Sequence, residues 1–129
     1  MKEIVTAPGL APPVGYAHAV VAGDTVWLGG QTALDAEGVI TGATLVEQFD
    51  VAAGNVVAAL SAAGCTPDDL VSMQVFVTDV EEYKAALREL GGVWKRHFGP
   101  RYPAMGLFGV VRLFDAEAKV ELMAVAVRS

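Results

Sequence analysis

With 129 residues, 53% of them hydrophobic and 19% charged, the chain has room for one domain, spanning residues 1–129, with a substantial core. Fifteen acidic against nine basic residues leave a net charge of −6, the opposite of the basic surface that nucleic-acid binding normally requires. No apolar run reaches the roughly 18–20 residues that cross a bilayer, so the apolar surplus is expected to close a permanent subunit interface.

The first residues, Met1 to Thr6, lack the apolar stretch of a signal peptide, and a cytoplasmic location is the expectation. Ala7-Pro8-Gly9-Leu10-Ala11-Pro12-Pro13 reads as a stiff loop. Strands are expected over Tyr16 to Val21 and Thr25 to Gly30, with Ala22-Gly23-Asp24 as the hairpin turn between them. A loop follows from Ala33 to Gly42. Thr44-Leu45-Val46-Glu47 has the form of a capping box, in which two side chains satisfy free backbone amides at a helix start. Leu45, Phe49, Ala52, Val56, Leu60 and Ala63 then recur at steps of three and four, and Gly64 supplies the stop. The chain's single cysteine, Cys65, excludes an internal disulfide and reads as a small residue packed behind that helix end.

A third strand spans Leu70 to Thr78. A second helix, opened by Asp79-Val80-Glu81-Glu82, carries Tyr83, Leu87, Leu90, Trp94 and Phe98 on one side and ends at Gly99-Pro100. Gly91-Gly92 inside it costs about 1 kcal/mol per glycine relative to alanine, which predicts a break or close packing there. Two final strands, about Ala104 to Leu113 and Lys119 to Val127, flank an Asp115-Ala116-Glu117 turn. The order is β-β-α-β-α-β-β, an α+β two-layer domain with two helices on one face of a mixed sheet. The other face, rich in Val, Leu and Met, calls for a partner.

The last strand holds the most informative residue. At a period of two, Glu121 shares a face with Met123, Val125 and Val127, and the opposite face holds Val120, Leu122, Ala124 and Ala126. A carboxylate in such surroundings is costly, and groups of this kind often have raised pKa values and acid–base roles. The bland alternative is a strand-end glutamate at the water's edge. Other chemistries find no support: Ser61, Ser72 and Ser129 lie in no nucleophile-elbow setting, and His18, His97 and Cys65 give no metal-ligand spacing. Gly29-Gly30-Gln31-Thr32 lacks the spacing and lysine of a phosphate loop and reads equally as a ligand-side backbone or a strand-end turn. His18 reads as a surface or interface histidine, and His97 as a charge favourable to a helix C-terminus. Tyr16, with an apolar ring and a polar tip, suits a pocket or an interface.

Taken together, Gly15-Tyr16-Ala17-His18-Ala19-Val20, Leu28-Gly29-Gly30-Gln31, Gln48 followed by Asn55, Leu60-Ser61-Ala62-Ala63-Gly64, Val75-Phe76-Val77-Thr78-Asp79, Tyr102-Pro103-Ala104 and Val120-Glu121 fall in the order of the RidA/YjgF family, which the chain resembles over nearly its whole length. The resemblance implies a chorismate-mutase-like subunit, a homotrimer with ligand clefts between subunits, and hydrolysis of imines and enamines without cofactor or metal. It assigns Glu121 to the attacking water, and Tyr16 with the Gly30 backbone to orienting the polar group. The family's Pro-Ala-Arg, whose arginine grips the substrate carboxylate, is here Pro103-Ala104-Met105. Leu107 stands where a polar residue is common, Gly29 replaces the serine of Ser-Gly-Gln, and Tyr-Ser-Gln has become Tyr16-Ala17-His18.

These departures imply an atypical member whose substrate is a small neutral or apolar imine, enamine or carbonyl compound. Arg101, four residues before Met105, is either a replacement cation or a surface loop residue. A non-catalytic ligand-binding or regulatory trimer is the alternative. Ribonuclease or translation inhibition is a third reading, disfavoured by the acidic charge.

Overall fold

A computed structural model describes residues 2–129. Six strands, β1 (Lys2–Val5), β2 (Ala19–Ala22), β3 (Thr25–Gln31), β4 (Leu70–Val77), β5 (Ala104–Gly109) and β6 (Val120–Val127), form one sheet in the order β1-β2-β3-β6-β4-β5. The pairing of β4 with β5 is parallel and every other pairing is antiparallel. Helices α1 (Leu45–Ala62), α2 (Val80–Ala85) and α3 (Leu87–Phe98) complete the α+β fold, and the apolar stripes of α1 and α3 bury against one sheet face.

The expected capping box forms: Thr44 Oγ1 accepts the Glu47 N–H at 3.1 Å, and the Glu47 carboxylate accepts the Thr44 N–H at 3.0 Å. Those two bonds start α1 where Leu45, Phe49, Ala52, Val56 and Leu60 begin to face the sheet. Val120, Leu122, Ala124 and Ala126 meet them from β6, and Met73, Val75 and Val77 from β4. The register sets Glu121 beside Phe76, so Glu121, Met123, Val125 and Val127 look out from the other side of the sheet. That side stays open in the single chain, with Trp27, Phe108, Met123 and Val127 exposed.

Four expectations change. A strand at Lys2–Val5 adds a sixth member to the sheet; four residues with two charges and mostly exposed side chains carry no clear period. β2 starts at Ala19 rather than Tyr16, because Gly15 turns with φ of 81° and leaves Tyr16 in a loop. β5 stops at Gly109, after which Arg112 folds back to donate to the carbonyls of Leu113 and Phe114.

The second helix is two helices, divided at Ala86, and α3 runs unbroken through Gly91-Gly92. Burial of Leu90, Val93, Trp94 and Phe98 on one stripe outweighs the glycine propensity cost, since tertiary packing supplies most helix stability in proteins. Helix α2 buries no residue, which leaves the chain free to turn at its end. No helix among the described residues is long and apolar enough to cross a membrane.

Candidate functional site

Glu121 occupies the second position of the central strand β6, held by β3 on one side and β4 on the other. Its neighbour β3 changes register between Leu28 and Gln31, and this irregularity brings Gly30 against the carboxylate. The approach needs glycine: a Cβ at position 30 would stand 2.8 Å from Glu121 Cδ and closer still to Oε2. Glu121 is half-buried, and burial pushes its pKa above the ordinary carboxylate value.

Beside it opens a cavity of about 540 Å³, lined from the N-terminal loop by Ala11, Pro12, Val14, Gly15 and Tyr16. Gly30, Thr32, Leu34 and Gly38 close a second side, and Phe114, Asp115, Glu121 and Met123 a third. The Tyr16 phenol is pushed above its usual pKa first by burial, then by the negative charges of Glu121 and Asp115. It therefore keeps its proton and faces the cavity as a hydrogen-bond donor.

Each loop around the cavity is tied to the frame by a buried polar side chain. His18, only 1% exposed, accepts the Ala7 N–H at Nδ1 (2.9 Å). With Nδ1 used as an acceptor, Nε2 carries the proton and donates to the Ala11 carbonyl at 3.0 Å. This corrects the expectation of a surface or interface histidine: His18 is a buried clip whose two partners are backbone groups, and its ring meets the Tyr16 ring edge-on at 6.2 Å. Asn55 donates to the carbonyls of Thr32 (3.0 Å) and Leu34 (2.9 Å), fixing the loop after β3.

Gln48 donates to the carbonyls of Gly42 and Glu117 and accepts the Lys119 N–H at 2.7 Å, fixing the segment that presents Phe114 and Asp115. His97 pairs with Asp50 at 2.5 Å, so it staples α3 to α1 besides standing at a helix end.

The remaining site candidates lie outside this cavity. Met105 and Leu107 share one side of β5, aligned with Met73 and Val75 of β4, and that is the helix-covered side opposite Glu121. Met105 lines a smaller cavity of about 130 Å³ with Phe49, Tyr83, Leu87, Trp94 and Tyr102, and Leu107 packs on the core. Within one chain, therefore, neither joins the Glu121 cavity. Arg101 is exposed, 4.0 Å from Asp68, and lines neither cavity; its carbonyl accepts the Trp94 indole N–H. Gly29 lies behind the wall, where a Cβ would run into the Ala17 carbonyl oxygen and stand 3.3 Å from the Tyr16 ring.

Sequence reasoning did not find Asp115, Phe114, Thr32 or Met123 as lining residues. Asp115 carries only a turn signal, and its approach to Tyr16 depends on how residues 110–119 close. Among the described residues, no group of three His, Cys, Asp or Glu stands close enough to hold a metal ion.

A half-buried carboxylate with raised pKa, a protonated phenol and a glycine backbone at one cavity wall are suited to taking a proton from water and orienting a polar ligand atom. A family model described as Endoribonuclease L-PSP matches residues 6–128. A goat (Capra hircus) protein named 2-iminobutanoate/2-iminopropanoate deaminase is 30% identical over 130 residues, covering 99% of this chain and 91% of that protein. The RutC family protein UK114 of Drosophila melanogaster is 33% identical over 125 residues, covering 95% of this chain and 88% of its own. Among solved structures, the Escherichia coli YjgF gene product superposes with a TM-score of 0.87 at 26% identity, over 98% of this chain and 99% of that one.

Proposed function

This chain belongs to the RidA/YjgF family, whose model bears the description Endoribonuclease L-PSP, and from that premise we propose that it hydrolyses a small imine or enamine lacking a carboxylate, in clefts between the subunits of a homotrimer. The observation that carries the reading is Glu121, half-buried against Gly30 at the wall of a cavity that no lysine or arginine lines. In this scheme Glu121 takes a proton from water as the water oxygen bonds to the C=N carbon. Tyr16 O–H and the Gly30 amide donate to that oxygen and orient it. The resulting carbinolamine regains a proton on nitrogen, the C–N bond breaks, and a carbonyl compound and ammonia leave. An enamine first gains a proton on carbon to enter the same path.

The trimer is supported by the open sheet side, where Trp27, Phe108, Met123 and Val127 lie exposed around the Glu121 register. A cleft between chains is also the arrangement that could set Met105 and Leu107 of one subunit opposite Glu121 of another, since one chain holds them on different sides of its sheet. A 2-imino acid finds no guanidinium at Met105, and removing such a clamp weakens an anion by several kcal/mol, on the scale of breaking a buried charge pair. Endoribonuclease chemistry would likewise need cations for phosphate groups, and the cavity offers none.

The test is ammonia release from neutral imines and from 2-iminopropanoate, each generated in situ. Neutral imines should turn over faster, and Glu121→Gln should lose about 10²–10⁴-fold while keeping its fold. Equal turnover in the variant would refute the role of Glu121. Ligand binding without ammonia release would make the protein a non-catalytic binding trimer.

A further inference from the structure

The same cavity carries a charge pattern that says more about its ligand than the absence of a clamp does. Its walls hold two carboxylates, Glu121 and Asp115, and no basic side chain. None of the ion pairs among the described residues uses either carboxylate. The basic residues nearest in sequence are engaged elsewhere: Lys119 pairs with Glu82 at 3.4 Å, and Arg112 spends Nε and Nη2 on the carbonyls of Leu113 and Phe114, each at 3.1 Å. Both negative charges reach the Tyr16 phenol, so their fields converge on the same space.

We propose that the ligand is a cation, a protonated aliphatic amine or iminium without a carboxylate, whose N–H groups bond to Asp115 and Glu121 while its alkyl part lies against Tyr16, Phe114 and Met123. This rests on the reading of the cavity as the ligand site. The size fits, since small-molecule pockets span about 300–1,000 Å³. Uncompensated carboxylates at a half-buried wall favour a positive partner, and the aromatic faces of Tyr16 and Phe114 add attraction for it. A carboxylated imine would bring a third negative charge to two already present, which selects against it by repulsion.

The assignment also fits the chemistry. Protonation on nitrogen makes the C=N carbon the electrophile that water attacks, so a site that prefers the cation holds the imine in its reactive form. The balance closes: one iminium ion and one water give one carbonyl compound and one ammonium ion, the oxygen passing to carbon and the positive charge staying with nitrogen. Glu121 takes one proton from water during addition and gives it to the departing nitrogen, then takes the hydroxyl proton as the carbonyl forms and passes that to the released ammonia. Asp115 holds the N–H group throughout and exchanges no proton.

Isothermal titration with three probes that share an isopropyl group separates the claims without relying on turnover: isobutylammonium, isobutyramide and isobutyrate. Isobutylammonium should bind at least about tenfold more tightly than the amide, and its affinity should fall as salt is raised. Asp115→Asn should weaken isobutylammonium by about tenfold, the scale of a hydrogen bond to a charged group, and leave isobutyramide unchanged. Isobutyrate binding as tightly as isobutylammonium would overturn the charge preference while leaving the cavity as the ligand site, with Arg101 of a neighbouring subunit as the next cation to examine. Binding of isobutylammonium that Asp115→Asn does not alter would overturn the role of Asp115. Failure of all three probes to bind would overturn the ligand site itself and the proposal with it.

Discussion

An alanine at position 30 would put a methyl carbon 2.8 Å from Glu121 Cδ and 3.1 Å from Cγ, overlapping Oε2 outright. Ordinary contact begins at 3.4 Å, so the carboxylate oxygen must retreat by more than about 1 Å. The displaced group is the end of a flexible side chain, and Gly30 does not have the positive φ that would strain an alanine backbone. The fold should therefore survive, with stability within about 1 kcal/mol of wild type. A misplacement of about 1 Å costs on the order of 10²-fold in rate, and a general base contributes about 10²–10⁴-fold, so Gly30→Ala should lose at least 10²-fold in ammonia release.

Gly29→Ala is the matched control. Its Cβ meets the Ala17 carbonyl oxygen, a backbone atom that cannot swing aside, so that variant should lose about 1–3 kcal/mol of stability. Thermal melts and initial rates on both proteins decide the matter. A folded Gly30→Ala protein with activity within twofold of wild type would show that the Glu121 position in this structure is not the one the chemistry uses.

Glu121→Gln should be more stable than wild type at neutral pH, as read by thermal melts. Burial raises the folded-state pKa, so the contribution of Glu121 to stability is fully present below its unfolded pKa and is lost as pH rises through the folded value. The gain should accordingly vanish below about pH 4, where the glutamate is protonated folded or unfolded. For the same reason the rate should fall on acidification around a midpoint above the ordinary carboxylate range, and a midpoint at or below about 4.3 would contradict the burial argument. His18→Leu leaves the Ala7 N–H and the Ala11 carbonyl unpartnered and should cost roughly 2–4 kcal/mol in denaturant melts, whereas His18→Gln, which offers an acceptor and a donor, should retain most of the stability. Met105→Arg should raise turnover of 2-iminopropanoate by the assembled protein, and sedimentation should give a trimer; a stable monomer at micromolar concentration would remove the shared cleft.

What could be read in the chain follows the range over which each feature is determined. Helix α1 was legible because its cap and its apolar steps are both local. Glu121 was legible because an alternating strand makes one misplaced charge conspicuous. The division at Ala86 was not, because it reflects how α3 docks on α1, and the Gly91-Gly92 pair points to a different break. The identity of His18 as a clip was hidden for a similar reason: both of its partners are main-chain groups of a loop 7 and 11 residues away, and main-chain groups leave no mark in a sequence. Asp115 entered the site only through the closure that Gln48 imposes from 69 and 71 residues away.

The station of Glu121 on the innermost strand separates two properties that many sites entangle. Strand β6 is flanked on both edges, so its amides should be among the last to exchange with solvent, and the loop segments carrying Tyr16, Leu34 and Phe114, outside the sheet, should exchange sooner. Selection can then rewrite those segments, changing which molecules enter, without touching the most protected part of the sheet. If Glu121 handles the proton as proposed, that group sits on the scaffold, and the choice of substrate rests with the segments around it.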